Sequence, residues 1–314
     1  MKICSRAANG KKSVTALRSR FVVLLFCLAM AVPLIVTATP KPDDPIRMVM
    51  SAAFISESGI GIYDKLARYL EKRLGKKVEL YSGFSYVTIS QMLAKGAVDI
   101  GFICGLPYVL AHDLPQPQVE LLVAPVMKDK RYQNKPIYYS YIIVRKDSPF
   151  QSFSDLRGKR FVYNETTSNS GYNMPRAYLI ELGETNGYFS QTLRSGSHEE
   201  SIHMVARGKA DASAVDSIVY DYERINHATD AQQTRIVKTL GPAGIPPVVV
   251  SSKIRPVQRR RIQDILIGMS DDPEGRQILN EALLDRFEVV TDSNYDDIRA
   301  MNNMAYESGF MSIK

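Results

Sequence analysis

The segment from Tyr163 to Pro175 carries the groups best suited to hold an anion. It follows a predicted strand, precedes a predicted helix and contains the run Ser-Asn-Ser-Gly-Tyr at 168–172. Pro175 has no backbone N–H and its ring crowds the carbonyl four residues earlier, so a regular helix can hardly begin before about Asn173. The amides of 168–172 then lack helical partners and, with the hydroxyls of Ser168 and Ser170, form an anion site that needs no lysine or arginine. The alternative is a loop whose side chains only cap their own helix.

An internal repeat at an offset of 112 residues points to further site positions. The octapeptide at 92–99 returns in similar form at 204–211, and the shared glycines end helical or strand-like runs. Two similar α/β lobes with a cleft between them are therefore predicted. Ligands of open α/β sheets lie beyond the carboxyl ends of strands, so positions shared by the two lobes are expected at the cleft. The repeat pairs Tyr86 with His198, Cys104 with Asp216, and Tyr108 with Tyr220.

These paired positions suggest distinct roles. His198 either donates to an anion from its ring or caps its helix. Asp216 can only accept hydrogen bonds while it is ionised, so beside an oxyanion it would select a ligand that carries a proton or an ammonium group. Tyr86 and Tyr108 can offer hydroxyls to the ligand, or can be core side chains.

The elements that must position these residues alternate between strand and helix. Apolar periodicity and glycine stops predict strands at 47–53, 78–81, 98–104, 160–163 and 210–215, and helices from 60 to 74, 86 to 95, 173 to 182 and 199 to 207. This alternation is typical of a parallel sheet covered on both faces. Two helices at 256–267 and 273–284 follow.

Two extended runs, 138–145 and 246–251, are predicted to cross between the lobes. They give a two-stranded hinge near Tyr141 to Val144 and Pro247 to Val250 and make lobe one discontinuous, so that a clamshell closes on its ligand. Lobe one is predicted at 39–143 and 246–314, and lobe two at 144–245. The protein is expected to be a monomer.

The first 38 residues have the pattern of a secretory signal. Six basic residues and no acid precede or flank an apolar run from Phe21 to Val36, and small residues suit cleavage after Ala38. Retention as a membrane anchor is the alternative, although the run is short and Pro33 interrupts it. Cleavage predicts an exported protein that keeps only Cys104 and has no internal disulfide.

The basic leader also accounts for most of the net charge of +7 in the 314-residue chain. The remaining body is nearly neutral, so nothing in it indicates nucleic acid or a membrane surface as a partner. The run Arg259 to Arg261 is interpreted as a solvated helix face.

An enzyme is the main alternative class. Cys104, His198, Asp211 and Asp216 could be combined into a Cys/His hydrolase, but no nucleophile motif surrounds Cys104. The histidines show no metal-ligand spacing, since His198 and His203 point to different helix faces. No catalytic residue, metal or cofactor is predicted.

With the loop 168–172, Pro175, the Ser-His-Glu at 197–199 and Tyr86 in view, the chain resembles the periplasmic phosphate/phosphite/phosphonate-binding (PhnD-like) components of ABC importers, from about Arg47 to Phe287. The resemblance implies a type II periplasmic-binding-protein fold and an ABC permease as partner. A membrane sensor kinase is the alternative partner. Two features depart from the family: Asn169 stands where threonine is typical, and 164–167 differ from the usual Asp-Pro approach. The implied ligand-binding residues are Tyr86, Tyr108, Ser168, Asn169, Ser170, Gly171, Tyr172, His198 and Asp216.

Overall fold

The computed structural model describes residues 44–51, 59–226 and 228–313, which form two mixed sheets with helices around them. The predicted leader, with Cys4 and Cys27, lies outside the described residues. The first sheet has the strand order β11-β4-β10-β3-β1-β2. Its strands are β1 (Ile46–Met50), β2 (Val78–Tyr81), β3 (Ile100–Phe102), β4 (Val119–Met127), β10 (Val248–Ser251) and β11 (Leu284–Glu288).

The second sheet has five strands in the order β7-β6-β8-β5-β9. They are β5 (Ile137–Arg145), β6 (Arg160–Tyr163), β7 (Gln191–Arg194), β8 (Ala212–Asp216) and β9 (Thr234–Gly244). In this sheet β6 pairs in parallel with β7 and β8, while β5 pairs antiparallel with β8 and β9.

Ten helices surround the sheets in the described residues. They are α1 (Ile60–Leu74), α2 (Tyr86–Lys95), α3 (Gly105–His112), α4 (Met174–Glu181), α5 (His198–Ala206), α6 (Ser217–Ile225), α7 (Thr229–Gln232), α8 (Pro256–Ile267), α9 (Pro273–Glu281) and α10 (Asp296–Ser308). Gly75 and Gly96 end α1 and α2 in the left-handed conformation that glycine adopts without strain. No helix within these residues has both the length and the apolar content to cross a membrane.

The sequence repeat corresponds to a structural repeat. The parallel order β2-β1-β3 with α2 and α3 matches β7-β6-β8 with α5 and α6. The aligned Asp99 and Asp211 make the same contact, since each carboxylate accepts the backbone amide of an arginine at 2.8 Å and its guanidinium. These arginines, Arg47 and Arg160, lie at the start of β1 and β6. The repeat therefore preserves a strand-pairing contact as well as the order of elements.

Both sheets are mixed, whereas strand-helix alternation predicts purely parallel ones. Three strands run against the others of their sheets. β10 lies antiparallel between β3 and β4, β11 is antiparallel to β4, and β5 is antiparallel to β8 and β9. Val248, Val249 and Val250 of β10 are fully buried, as expected of a central strand.

The passages between the sheets differ from the predicted positions. β5 is paired along its whole length in the second sheet, so the boundary at residue 143 and the hinge near Tyr141 to Val144 fall inside a paired strand. The chain passes between the sheets at 128–136 and 245–247. A third passage lies at 289–295, because α10 packs against α4 of the second half. The stretch 246–314 therefore does not belong to the first half throughout.

Candidate functional site

The anion loop, defined as Ser168–Tyr172, lies between β6 and α4 as a wide turn. The amide of Asn173 donates to the Ser168 carbonyl at 2.9 Å, five residues back, and the regular helix begins at Met174. The proline at the second position of α4 explains this late start. The Ser168 hydroxyl accepts from the Gly171 amide at 3.0 Å and so caps the turn. Ser168 therefore caps its own turn, which is the role that the alternative interpretation of the loop gave to its side chains.

Gly171 is required by close packing against the approach to the loop. A Cβ atom at this position would lie 2.0 Å from Asn164 Oδ1, which is far inside van der Waals contact. The loop carbonyl of Ser170 is also fixed, because the Ser140 hydroxyl of β5 donates to it at 2.6 Å. Asn164 and Ser140 therefore hold the loop from two sides, and the Ser170 hydroxyl takes part in neither contact.

Ser170, His198 and Asp216 converge, and we call these three residues the anion cluster. Ser170 Oγ lies 3.4 Å from His198 Nε2 and 3.4 Å from Asp216 Oδ2. All three residues are fully buried. They come from the loop after β6, the start of α5 and the end of β8, which are the carboxyl ends of neighbouring strands.

His198 is a neutral donor in this cluster. Burial lowers the pKa of its imidazole to about 3, so the ring is uncharged near neutral pH. Its Nδ1 accepts from the Asp216 amide at 3.3 Å, which leaves the proton on Nε2, the atom that faces Ser170. The helix cap is Ser197, whose hydroxyl accepts from the Glu200 amide at 3.0 Å. The alternative of His198 as a helix cap is therefore wrong.

Asp216 caps α6 with one carboxylate oxygen and faces the cluster with the other. Its Oδ1 accepts from the Ile218 amide at 2.8 Å, while Oδ2 accepts from Ser170 Oγ. Burial raises the pKa of this carboxyl well above its ordinary value.

Tyr86 reaches the cluster region from the first half of the molecule. Its backbone amide donates to Glu165 Oε1 at 3.2 Å, and its hydroxyl accepts from Asn164 Nδ2 at 3.2 Å. Glu165 also lies 3.3 Å from the guanidinium of the exposed Arg194. Because the hydroxyl of Tyr86 accepts from Asn164, its own proton is free to point elsewhere. Burial raises the pKa of Tyr86 well above its ordinary value, with smaller contributions from Cys104, Asp216 and Glu165.

Two predicted site residues direct their side chains away from the cluster. The Tyr108 hydroxyl donates to Asp292 Oδ1 at 2.7 Å, and its ring packs against Tyr295. The Tyr172 hydroxyl accepts from the Ile313 amide at 3.1 Å. Tyr108 follows the end of β3, as its repeat partner follows β8, but its fully buried side chain runs along α3, where its ring also contacts His112. Of the two roles expected for Tyr108, the structure agrees with the core side chain.

The structure brings two further residues to the loop: Cys104, which the repeat pairs with Asp216, and Tyr138, which sequence reasoning missed. Cys104 Sγ accepts from the Asn169 amide at 3.3 Å, and burial raises the pKa of its thiol to about 11. The Tyr138 hydroxyl accepts from Asn169 Nδ2 at 2.9 Å. Tyr138 and Ser140 share one face of β5 because side chains two residues apart in a strand point the same way. The two-residue spacing of Tyr138 and Ser140 in a predicted strand was the sequence signal that could have identified both residues as neighbours of the loop.

One group of three potential metal ligands occurs within the described residues, outside the cluster. Atoms of His112, Asp113 and Asp292 lie within 4.8 Å of one another. Arg299 donates to both carboxylates at distances between 2.6 and 3.1 Å. Arg299 thus gives both acidic side chains a structural partner.

A family model described as "ABC transporter, phosphonate, periplasmic substrate-binding protein" matches residues 51–295. The chain is 30% identical over 166 residues to the phosphate-import protein PhnD of Mycolicibacterium smegmatis, a match that covers 50% of each chain. It is 24% identical over 237 residues to the phosphonates-binding periplasmic protein of Escherichia coli, covering 74% of this chain and 68% of that one. The chain thus spans half to about two thirds of the length of these relatives.

Solved structures of similar proteins share the fold. A binding-protein component of an ABC phosphonate transporter from Pseudomonas aeruginosa aligns with a TM-score of 0.76 at 19% identity, covering 85% of this chain and 88% of that one. A PhnD protein from Prochlorococcus marinus in complex with methylphosphonate aligns with a TM-score of 0.73 at 18% identity, covering 85% of this chain and all of that one. These likenesses confirm the predicted type II periplasmic-binding-protein fold.

Proposed function

The chain belongs to the family of periplasmic substrate-binding proteins of ABC phosphonate transporters, and we propose that it captures a phosphate-like oxyanion in the periplasm. The ligand is phosphate, phosphite or a phosphonate, and the acceptor of the captured ligand is an ABC permease. The members of this family are binding proteins rather than enzymes, and we assign this chain the same role.

The observation that carries the proposal is the anion cluster. The hydroxyl oxygen of Ser170 lies 3.4 Å from Nε2 of the uncharged His198 imidazole, and both residues are fully buried. Donors preorganised in a dry site bind an oxyanion strongly without a counter-ion. The burial of His198 and Cys104 also favours binding over hydrolysis. Near neutral pH an imidazole with a pKa of about 3 is a poor base, and a thiol with a pKa of about 11 is a poor nucleophile.

The proposed ligand contacts follow from this geometry. The Ser170 hydroxyl and His198 Nε2 donate to the oxyanion, and Asp216 accepts a proton carried by the ligand. The amides of Ser168, Asn169 and Gly171 already donate to Glu165 O, Cys104 Sγ and Ser168 Oγ, so the loop amides proposed to reach the ligand are those of Ser170 and Tyr172. Tyr86 donates its hydroxyl from the opposite side of the cleft. Ser168, Asn169 and Gly171 shape the loop, and Tyr172 contributes only its backbone.

We further propose that the two halves, each built on one sheet, close around the ligand by rotating about the passages at 128–136, 245–247 and 289–295. These segments lack sheet pairing, so their backbone angles can change without breaking a strand ladder. The contacts of Tyr86 with Asn164 and Glu165 join the halves in the closed form.

Thermal shift measurements on the purified protein test the function. Phosphate, phosphite, methylphosphonate, 2-aminoethylphosphonate, sulfate and arsenate form the panel. We expect at least one phosphorus oxyanion to raise Tm in a saturable, concentration-dependent way. A flat response to every anion, or turnover of a chromogenic phosphomonoester, would overturn the proposal.

A further inference from the structure

Glu165 contacts the opposite half of the molecule at the N-terminus of α2. The residue is only 4% exposed, and its carboxylate oxygen Oε1 accepts from the backbone amide of Tyr86 at 3.2 Å. Tyr86 is the first residue of α2 in the first half, whereas Glu165 follows β6 in the second half. The preceding residue adds to this contact, because Asn164 Nδ2 donates to the Tyr86 hydroxyl at 3.2 Å. Two consecutive residues of one half therefore hold the first residue of a helix in the other.

The N-terminus of α2 has no acidic side chain of its own. The helix dipole and the unpaired amides at this end favour an anion, yet the first turn of α2 contains no Asp or Glu. Its repeat counterpart α5 carries Glu199 and Glu200 in the first turn. At the offset of 112 residues these two acids correspond to Val87 and Thr88. Glu165 thus supplies to α2, from the other half, the kind of charge that α5 has in its own sequence.

The backbone around Glu165 is fixed to the second half. The Glu165 carbonyl accepts from the Ser168 amide at 3.0 Å, which joins it directly to the anion loop. The Asn164 carbonyl accepts from the Gly196 amide at 3.0 Å and so extends the pairing of β6 with β7. At the end of β7, the guanidinium of Arg194 lies 3.3 Å from Glu165 Oε2. The carboxylate therefore moves with the anion loop when the halves rotate.

The contact between Glu165 and Tyr86, which we call the latch, depends on closure. A buried carboxylate is costly unless its oxygens have partners. Burial raises the pKa of Glu165, and the Tyr86 amide and the charge of Arg194 oppose that rise. Arg194 accompanies Glu165 because both lie in the second half, whereas separation of the halves replaces the Tyr86 amide by water. The latch is therefore a contact that the closed form has and an open form lacks.

From these contacts, and resting on the proposed function, we infer that Glu165 is a positioning residue that stabilises the closed form and controls how fast the ligand is released. It fixes the first residue of α2, so that the Tyr86 hydroxyl stays at the cleft once the second half has taken up the ligand. Asn164 and Glu165 belong to the segment 164–167, in which this chain departs from the family pattern. The departure acquires a function here, because it supplies a contact between the halves that involves no ligand atom.

The test separates release of the ligand from its capture. Release of radiolabelled methylphosphonate and phosphate is timed by dilution and rapid filtration, Kd is measured by calorimetry, and kon is koff divided by Kd. Glu165→Ala removes the latch, whereas Glu165→Gln keeps an oxygen that can accept from the Tyr86 amide. Glu184→Ala is the matched control, because Glu184 pairs with Arg157 entirely within the second half. Melting curves confirm that each variant is folded.

We expect Glu165→Ala to speed release about tenfold, the size of a lost hydrogen bond to a charged group. Its kon should stay within about twofold of wild type, because contacts that form after encounter act mainly on koff. Glu165→Gln should speed release by less than about threefold, and Glu184→Ala should change neither rate constant. Arg194→Met leaves the buried carboxylate without its cation and should speed release about threefold. The double variant Arg194→Met/Glu165→Gln should match Glu165→Gln, because a neutral amide needs no counter-ion.

Val87 gives a second test from the other half of the molecule, at an exposed position where a new charge is compatible with folding. Val87 is 50% exposed and corresponds to Glu199 in the repeat. Val87→Glu places an acid of its own on the first turn of α2, where it repels the Glu165 carboxylate, so release should become about threefold faster. Val87→Gln is the uncharged control and should match wild type. In the Glu165→Ala background, Val87→Glu should not change koff further.

Several outcomes would overturn the inference. Release from Glu165→Ala at the wild-type rate would do so, and an unchanged koff in Val87→Glu decides the matter even where Glu165→Ala fails to fold. A change confined to kon would also overturn it, because Glu165 would then act on capture and not on the closed form. If wild type binds none of the panel anions, the proposed function fails and the inference fails with it; normal wild-type binding with unchanged release from the variants refutes the inference alone.

Discussion

The most informative perturbation is Asp216→Asn, which keeps the shape of the site and removes its one cluster carboxylate. Asp216 Oδ2 lies 3.4 Å from Ser170 Oγ and the residue is fully buried. An oxyanion held by Ser170 would therefore sit close to the carboxylate. Two unit charges about 5 Å apart repel by about 3 kcal/mol at an effective dielectric near 20.

That repulsion predicts discrimination between phosphate and sulfate. Monohydrogen phosphate brings a proton that Asp216 can accept, whereas sulfate has none near neutral pH. Sulfate binds only when Asp216 itself takes up a proton. Because burial raises the pKa of Asp216, this uptake is easiest at low pH, and sulfate affinity falls up to about tenfold per pH unit once the pH exceeds that pKa.

The assay is a pair of calorimetric titrations, with sulfate and with phosphate, on wild type and Asp216→Asn between pH 6 and 9. Where Asp216 is ionised, we expect wild type to prefer phosphate by about a hundredfold or more, which is the factor that about 3 kcal/mol represents. In Asp216→Asn, sulfate binding should strengthen and lose its pH dependence, while phosphate binding falls modestly. Wild type that binds sulfate as tightly as phosphate at every pH would refute the reasoning, because Asp216 would then not face the ligand.

Further predictions concern the loop, the histidine and the closure. Ser170→Ala should weaken oxyanion binding by about 1.5 to 3 kcal/mol in calorimetry, because a buried bond to a charged ligand is lost; unchanged affinity would remove Ser170 from the site. Gly171→Ala should destabilise the fold by about 1 to 3 kcal/mol in chemical denaturation, since its Cβ would lie 2.0 Å from Asn164 Oδ1, whereas Gly268→Ala, with no atom within 4 Å, should not. His198→Gln should lessen the loss of stability between about pH 6.5 and 3, because the buried ring has a folded pKa of about 3 below its unfolded value and the unfolded chain takes up the proton; parallel pH profiles would contradict this. Small-angle scattering should show a smaller radius of gyration at ligand saturation, and an unchanged radius would count against closure.

Regular elements with clear punctuation were predictable from the sequence. The helix at 256–267 and the strands at 78–81 and 160–163 have the bounds expected from apolar runs and flanking turns. The strands β4, β7, β9 and β11 were missed. β7, for example, is an edge strand whose residues are exposed or half-buried, so it carries no apolar run. The reversed strands β5, β10 and β11 convert the expected parallel sheets into mixed ones.

The site was predictable where backbone chemistry dictates it and unpredictable where side-chain direction does. Pro175 forces the late helix start, and the repeat brings His198 and Asp216 to strand ends beside the loop. The hydroxyl of Tyr108 could not be placed, because a helix-start position does not determine whether a long side chain turns toward the cleft or along its helix. Tyr138 could not be placed either, since its contact with Asn169 depends on tertiary packing.

The central claim is that the anion cluster holds a phosphate-type oxyanion through uncharged donors. A crystal structure of the protein with methylphosphonate tests it most directly. We predict phosphonate oxygens within hydrogen-bond distance of Ser170 Oγ and His198 Nε2, with Asp216 Oδ2 facing a third oxygen. A phosphonate bound elsewhere, or one that stays beyond about 4 Å from both donors, would contradict the account.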